Sequence, residues 1–388
     1  MKLYIFNPDT DLALANNTEN YIPSARVREM ERELEILPMW YAEPGSTILV
    51  SSLPDEKFIE RARKLFGVEM DFILKENTVV PDSTEILPWG WNPTLRKKLI
   101  NSGISEALLP SPAEMREYRI LAGRANDAEI LQKLPTQSKF TAETLEKLDD
   151  CQKYAAAHPR CIFKAPWSGS GKGLLWCFGR YDEKSHGWCN RVIREQGYVI
   201  ATPIYEKQQD FALEYFSDGA GNITFEGYSL FDTNTKGAYN GNLLQTDAMH
   251  RKELSQYIAL QELDDTDLHL RQLLAQTYKN YKGYIGVDMM ICSNNDYSYS
   301  LHPCVEINMR MNMGVLCSII TKKFVEEGRQ GRFAIEYYPT AQALQNDYQR
   351  MSDEHPLEVK NGHIHSGFLP LTPITATNNY IASVLVNK

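Results

Sequence analysis

Residues 163–174 read FKAPWSGSGKGL, and residues 305–314 read VEINMRMNMG. The first stretch sets Lys164 in a short apolar run and follows it with a serine- and glycine-rich loop. CIFKAP before the loop and LLWCFG after it both have the composition of strands, so the loop joins a strand to a strand. That context excludes two familiar phosphate loops, which lead from a strand into a helix. A P-loop also requires Ser or Thr after its Gly-Lys, where this chain has Gly173. It requires glycine five residues before that lysine, where this chain has Trp167. A dinucleotide fingerprint would need glycine at position 174, which is Leu174. Between antiparallel strands, such a loop offers free backbone N–H groups and little side chain to obstruct an anion. It can therefore fold over phosphates as a flap. Lys164 would reach an α- or β-phosphate, and Lys172 would add charge. A plain flexible hairpin accounts for the same residues equally well.

The second stretch supplies hard oxygen ligands. Glu306 and Asn308 are two apart, so on a strand they face the same way. GVDMMI places Asp288 on the preceding strand. A hairpin centred near Tyr297 would set Asp288 opposite Glu306. The turn signal Asn294-Asn295-Asp296 comes slightly earlier, so a bulge or a longer loop is expected. Two carboxylates and an amide oxygen suit magnesium, whose octahedral shell is commonly completed by phosphates. Carboxylates on strands are usually solvated on the outward face. Asp288, however, lies in an apolar run, and Glu306 sits between Val305 and Ile307. A buried carboxylate without a partner is expensive, which favours a metal or another cationic partner, with a structural ion pair as the alternative.

The rest of the chain frames these two stretches. Its 388 residues allow two or three domains. With 43% hydrophobic and 23% charged residues, it has the composition of an ordinary globular protein. A net charge of -9 argues against a general grip on nucleic acid. MKLYIFNPDTDLALA does not read as a signal peptide, and no apolar run approaches the roughly 18 residues that span a bilayer. Seven scattered cysteines without a CxxC pair read as free thiols, so a cytoplasmic location is expected. LYIF, STILVSS and MDFILKE read as strands that alternate with the helices SARVREMERELEIL, capped by Ser24, and DEKFIERARKLFG, stopped by Gly67. That is the pattern of a parallel sheet covered by helices. SPAEMREYRILAGRANDAEILQKL reads as one or two helices, and residues 141–158 as a further helix ended by Pro159. GYVIATPIY, FALEYFS and ITFEGYSLF follow as strands, then DTDLHLRQLLAQTYKNYKG as a long amphipathic helix. Asn361-Gly362 marks a two-residue hairpin turn.

FKAPWSGSGKG and GVDMMI…VEINMRMNMG, in this order and at this separation, resemble the ATP-grasp superfamily over residues 111–330. The resemblance implies an α/β chain: a Rossmann-like parallel-sheet domain over 1–110, then a two-lobed grasp with antiparallel sheets. One lobe, 111–200, carries the phosphate loop; the other, 201–388, carries the metal carboxylates. ATP and Mg2+ are the implied cofactors. Lys164 is similar to the family's phosphate-contacting lysine, and Ser168, Gly169, Ser170, Gly171, Lys172 and Gly173 to its mobile loop. Asp288, Glu306 and Asn308 match the magnesium ligands. Arg310 matches the arginine that stabilises an acyl phosphate, and Lys236 a second phosphate lysine on a closing loop, although an exposed loop lysine explains it nearly as well. Arg124, with Arg119 as second choice, is the candidate basic residue reaching ATP from the preceding helix. Val199–Pro203, through Ile200, Ala201 and Thr202, would hold adenine by backbone groups, and Asp210 would serve the ribose if an acid is present there. The implied reaction is an ADP-forming carboxylate–amine ligation between small molecules, with no nucleic acid or membrane partner and with a homodimer left open. A small-molecule kinase or a nucleotide-binding regulator on the same fold are the alternatives.

Several residues stay ambiguous. His363 and His365 share a face, but two histidines make a poor case for zinc. His302 and Cys304 approach Glu306 and either line the pocket or pack. Tyr239, Asn240 and Asn242 suit a substrate loop or a turn. Asp9 and Asp11 follow the first strand, where such a domain presents ligands; they either orient an amine or cap a helix.

Overall fold

A computed structural model describes residues 1–76, 78–135, 139–169, 173–233 and 239–388, with backbone alone at Thr233, Tyr239 and Asn240. Three sheets carry the chain. The first is parallel, in the spatial order Asp71–Leu74, Thr47–Val50, Lys2–Ile5, Glu85–Pro88. Its helices begin and stop on local signals. Ser24 accepts from the Val27 N–H, Asp55 from Phe58 and Asn92 from Leu95, while Gly67 closes Glu56–Phe66 at φ 65°. The strand period of two sends Leu3, Ile5 and Leu49 to one face, against Leu95 and Leu99 of helix Pro93–Asn101. Tyr4, Ile48 and Val50 go to the other. Asp71–Leu74 and Glu85–Pro88 are joined by a stretch that contains no helix among its described residues.

The second sheet is antiparallel, ordered Glu143–Leu145, Val199–Pro203, Arg160–Lys164, Leu174–Phe178. Its outermost strand corrects the sequence reading. Residues 141–158 were expected as one helix, but Glu143–Leu145 pairs with Val199–Ala201, and the helix starts only at Leu148. Here a sheet edge seeking partners overrides a weak helical preference. The chain leaves this sheet after Pro203, so Val199–Pro203 spans the expected 200/201 boundary.

The third sheet has nine strands, in the order Tyr299–Asn308, Lys282–Ser293, Lys207–Asp218, Ile223–Thr233, Tyr239–Leu244, Gly331–Tyr337, Tyr380–Val386, His363–Pro370, Glu358–Lys360. One face is apolar: Phe211, Leu213, Val287 and Met289 pack on Leu263, Leu270 and Leu274 of helix Leu260–Thr277. The Asn361-Gly362 turn forms as expected, with φ of 50° and 80° and Lys360 opposite His363. All seven cysteines are buried and free. Among the described residues, no helix is long and apolar enough to cross a membrane.

One core joins the start of the chain to its end. Trp40 is 1% exposed and meets Phe66 and Phe324 edge to face. Its indole N–H donates to the Leu371 carbonyl at 2.7 Å. Trp40→Ala should therefore destabilise the chain by about 3–5 kcal/mol, the usual cost of emptying a large aromatic site. Denaturant unfolding measures it.

Candidate active site

The carboxylate hairpin has the expected register. Asp288 lies opposite Glu306, and Gly286 opposite Asn308. The turn lies off-centre, so the register shifts between Asp288 and Met290, which faces His302. Residues 303–305 thus oppose Met289 alone, and Pro303, which has no N–H for a ladder, sits in that bulge. On the other side of this strand, Ala212 pairs with Asp288 and Glu214 with Gly286. Period-two alternation therefore brings Glu214, Asp288, Glu306 and Asn308 to one sheet face, opposite the face covered by helix Leu260–Thr277.

Glu214 was missed in the sequence, although FALEYF buries it in an apolar run just as GVDMMI buries Asp288. It is 1% exposed and accepts a hydrogen bond from Asn312 Nδ2 at 2.8 Å. Two glycines make its space. A Cβ at Gly286 would lie 2.7 Å from one Glu214 carboxylate oxygen, and a Cβ at Gly314 2.1 Å from the other. Asp127, in GRANDAEIL, was also missed; it is 7% exposed and its Oδ2 has no hydrogen-bond partner. Burial pushes the Glu214 carboxyl up to about 7. Burial, then the Glu306 charge, pushes Asp127 to about 7. Asp288 is held well above the usual carboxylate range by burial, then by Glu306 and Glu214.

Three cations converge on these acids from other segments. Arg124, between helices Pro112–Leu121 and Ala125–Lys133, donates to Glu306 Oε1 at 2.5 Å, to the Ala165 carbonyl at 2.6 Å and to Ser168 Oγ at 2.7 Å. Lys164, last in its strand, donates to the Val305 carbonyl at 3.2 Å, and burial, then Arg124, lowers its pKa. Arg310 donates through Nε and Nη2 to Asp11, at 2.7 Å for the shortest contact, and through Nη2 to Asn308 Oδ1 at 2.9 Å. Asn308 Nδ2 in turn donates to Asp288 Oδ2 at 3.1 Å. Asp288, Glu306 and Asn308, the residues expected to hold magnesium, thus share one face of the hairpin. Among the described residues no three His, Cys, Asp or Glu groups are already arranged as a metal cage.

The remaining expected residues fall as follows. Ser168 is buried and lies so close to Gly173 that a Cβ there would sit 2.2 Å from Ser168 Oγ. Gly169 borders Asp11. Ser170, Gly171, Lys172 and Lys236 lie outside the described residues, as do the side chains of Tyr239 and Asn240. Ile200 and Thr202 line a narrow slot with Lys164, Leu131, His302 and Cys304. The adenine assignment to backbone at Ile200 and Ala201 needs correction. Both have a paired strand on each side, which engages their N–H and C=O groups. The Ala201 side chain faces the lobe's own core beside Phe163. The strand's free edge begins at Thr202, where Glu143–Leu145 ends. Asp210 faces Met290 one row beyond Asp288 and pairs with Lys207 at 2.5 Å. His302 lies between Phe140 and Tyr205, with centroids 4.5 and 5.4 Å away, and burial lowers its pKa to about 3, so it stays neutral. Arg119 stacks on Trp167 at 3.6 Å and takes no part in the cluster. Asn242 is buried and donates to Ser229 Oγ at 2.6 Å, a packing role. His365 contacts Glu326 and Arg329, whereas exposed His363 bonds the Asn361 carbonyl.

Asp11 and Asp9 part company. Asp11 holds Arg310. Asp9 occupies the N-cap position of Thr10–Asn16 without making a cap bond, against the expected capping role.

No protein-family model matches the chain, and no curated protein matches it. Solved structures do. The N5-carboxyaminoimidazole synthetase from Staphylococcus aureus, complexed with ADP, superposes with a TM-score of 0.52 at 13% identity, covering 100% of this chain and 93% of that one. The biotin carboxylase domain dimer of the Hydrogenobacter thermophilus 2-oxoglutarate carboxylase, in complex with MgADP, ADP and bicarbonate, gives 0.50 at 10% identity, covering 100% and 86%. The chain shares its fold with these two proteins.

Two outcomes follow for the aspartates. Asp11→Asn removes a charged, two-pronged partner from Arg310 and should cost about 1.5–3 kcal/mol in denaturant unfolding. For Asp9, burial raises the pKa from 3.8 to about 6. The folded state then binds the proton more tightly than the unfolded one, so stability falls as pH rises from about 4 through 6. Asp9→Asn should match the parent near pH 4 and exceed it by about 2–3 kcal/mol at pH 7.

Proposed function

We propose that the protein is an ATP- and magnesium-dependent ligase that activates a carboxylate as an acyl phosphate and passes the acyl group to an amine, leaving ADP. The observation that supports it is the meeting of Lys164 and Arg124, from the small lobe and its preceding helices, with the Asp288, Glu306 and Asn308 face of the nine-stranded sheet. The synthetase and carboxylase of similar fold are solved with ADP, which supports the cofactor assignment.

Asp288, Glu306 and Asn308 would hold magnesium, which supplies charge neutralisation for the phosphates. Lys164, desolvated on its strand end, would meet phosphate oxygens directly. Arg124 now spans the cleft to Glu306; phosphates arriving there offer it a second anionic partner, with Ser168 and the loop above. The base would lie by the slot lined by Ile200, Leu131 and His302, next to Lys164 and Arg124, with backbone groups from Thr202 onward. Arg310, fixed by Asp11, presents a preorganised cation to the charge that develops when the amine attacks. Positioning and electrostatics carry such chemistry, because little covalent work falls to the protein. The division into a pre-grasp unit over 1–110 and two lobes after it, and a cytoplasmic home for seven free thiols, belong to the same reading.

Lys164→Ala should lower ATP turnover by about 10²- to 10³-fold, the scale of a deleted donor facing transition-state charge. Turnover close to the parent's would overturn the assignment. Hydroxylamine added to a carboxylate panel should yield a hydroxamate with ADP. ADP formed with a phosphorylated alcohol and no hydroxamate would identify a kinase instead, and nucleotide binding without ADP a regulator.

A further inference from the structure

A cavity of about 290 Å³ lies in the parallel-sheet unit, away from the carboxylate hairpin. Its origin is topological. The described residues between Asp71–Leu74 and Glu85–Pro88 lay no helix on the sheet, so that face is covered by Pro93–Asn101 and the segment after it, through Leu95, Leu99, Ile104 and Leu109. The space left beside it is floored by Ile5, Leu49, Leu95 and Leu99, at the carboxyl ends of the first two strands, where open α/β sheets receive ligands. The floor is apolar and the rim is charged.

Two of the rim charges are unanswered. Asp9 is 9% exposed, lines the cavity and, among the described residues, makes no side-chain hydrogen bond or ion pair with another residue. Lys98, on the covering helix, lines it too and forms no ion pair among the described residues. The two attract each other through space, yet they do not touch. The other charges are already matched: Lys75 lies 3.4 Å from Glu31 and 3.2 Å from Glu35. A buried carboxylate left without a partner is costly, and it persists where a ligand uses it. Asp9 and Asp11 lie on different sides of the short helix they open, since Asp11 holds Arg310 while Asp9 faces this cavity.

We propose that this cavity is a second binding site, for a small aliphatic amino acid whose ammonium group meets Asp9 and whose carboxylate meets Lys98. The methylenes between those ends cover Ile5, Leu49, Leu95 and Leu99. A cation and an anion held apart over an apolar floor match a zwitterion better than a plain amine or a plain acid, each of which leaves one charge unanswered. The site stands independently of the nucleotide reading, because none of its residues belongs to the carboxylate cluster.

The test titrates the full-length protein with glycine, alanine, valine, leucine, β-alanine and 4-aminobutyrate, with propylamine and butyrate as single-charge controls. Thermal shift and calorimetry provide the readouts. At least one zwitterion should bind at least tenfold tighter than both controls. That affinity should drop at least tenfold in Asp9→Asn and again in Lys98→Met. Asp9→Asn should remain folded, and Lys98 is exposed, so lost binding in these variants reports the site and not the fold. If no zwitterion outbinds the controls, or if both variants bind it as the parent does, the proposal is wrong. Loss of ATP turnover in Lys164→Ala has no bearing on this outcome, so the two readings fail separately.

Discussion

Buried acid on one face of the nine-stranded sheet governs this molecule. Glu214, Asp288 and Glu306 stand side by side because strand alternation and the bulge at Pro303 leave them no other direction. With Asp127 beside them they form a cluster in which burial raises the pKa of Asp127, Glu214 and Asp288. Such a cluster persists only if cations reach it. The protein brings them from three segments: Arg124 at the start of helix Ala125–Lys133, Lys164 at the end of its strand, and Arg310 just past the hairpin. The attraction that compensates the acids also holds the four-stranded antiparallel sheet against the nine-stranded one.

The same constraint reaches into the parallel-sheet unit. Asp11 fixes Arg310, Arg310 touches Asn308, and Asn308 touches Asp288. Beside this chain, the Met311 N–H donates to the Trp89 carbonyl at 2.8 Å. The segment after the first strand is thereby coupled to the metal-ligand candidates. Gly286 and Gly314 are part of the arrangement, since a Cβ at either would occupy the space that Glu214 fills.

Much of this was legible in the sequence where the signal is local. Helix caps at Ser24, Asp55 and Gly67, the turn at Asn361-Gly362 and the Asp288–Glu306 register follow from residue chemistry and counting. The bulge was foreseen because the turn signal lay off-centre. What escaped depends on tertiary partners. Glu143–Leu145 becomes a strand only because a sheet edge is there to receive it. Glu214 shows the same pattern of acid in an apolar run as Asp288, but no neighbouring motif drew attention to it. Asp127 sits in a helix where nothing local marks it as buried. Ile200 and Ala201 were expected to offer backbone to a base, but strands on both sides of them engage that backbone. The fate of Asp9 and Asp11 depended on which side of a short helix each one faces.

The most direct measurement is the magnesium dependence of nucleotide binding, by calorimetric titration of ATP into the full-length protein with magnesium and then with EDTA. If Asp288, Glu306 and Asn308 hold a metal between protein and phosphates, ATP binds with magnesium, and affinity falls at least tenfold on chelation and to a similar degree in Asp288→Asn with magnesium present. Equal affinity with and without magnesium, unchanged by Asp288→Asn, would contradict the account.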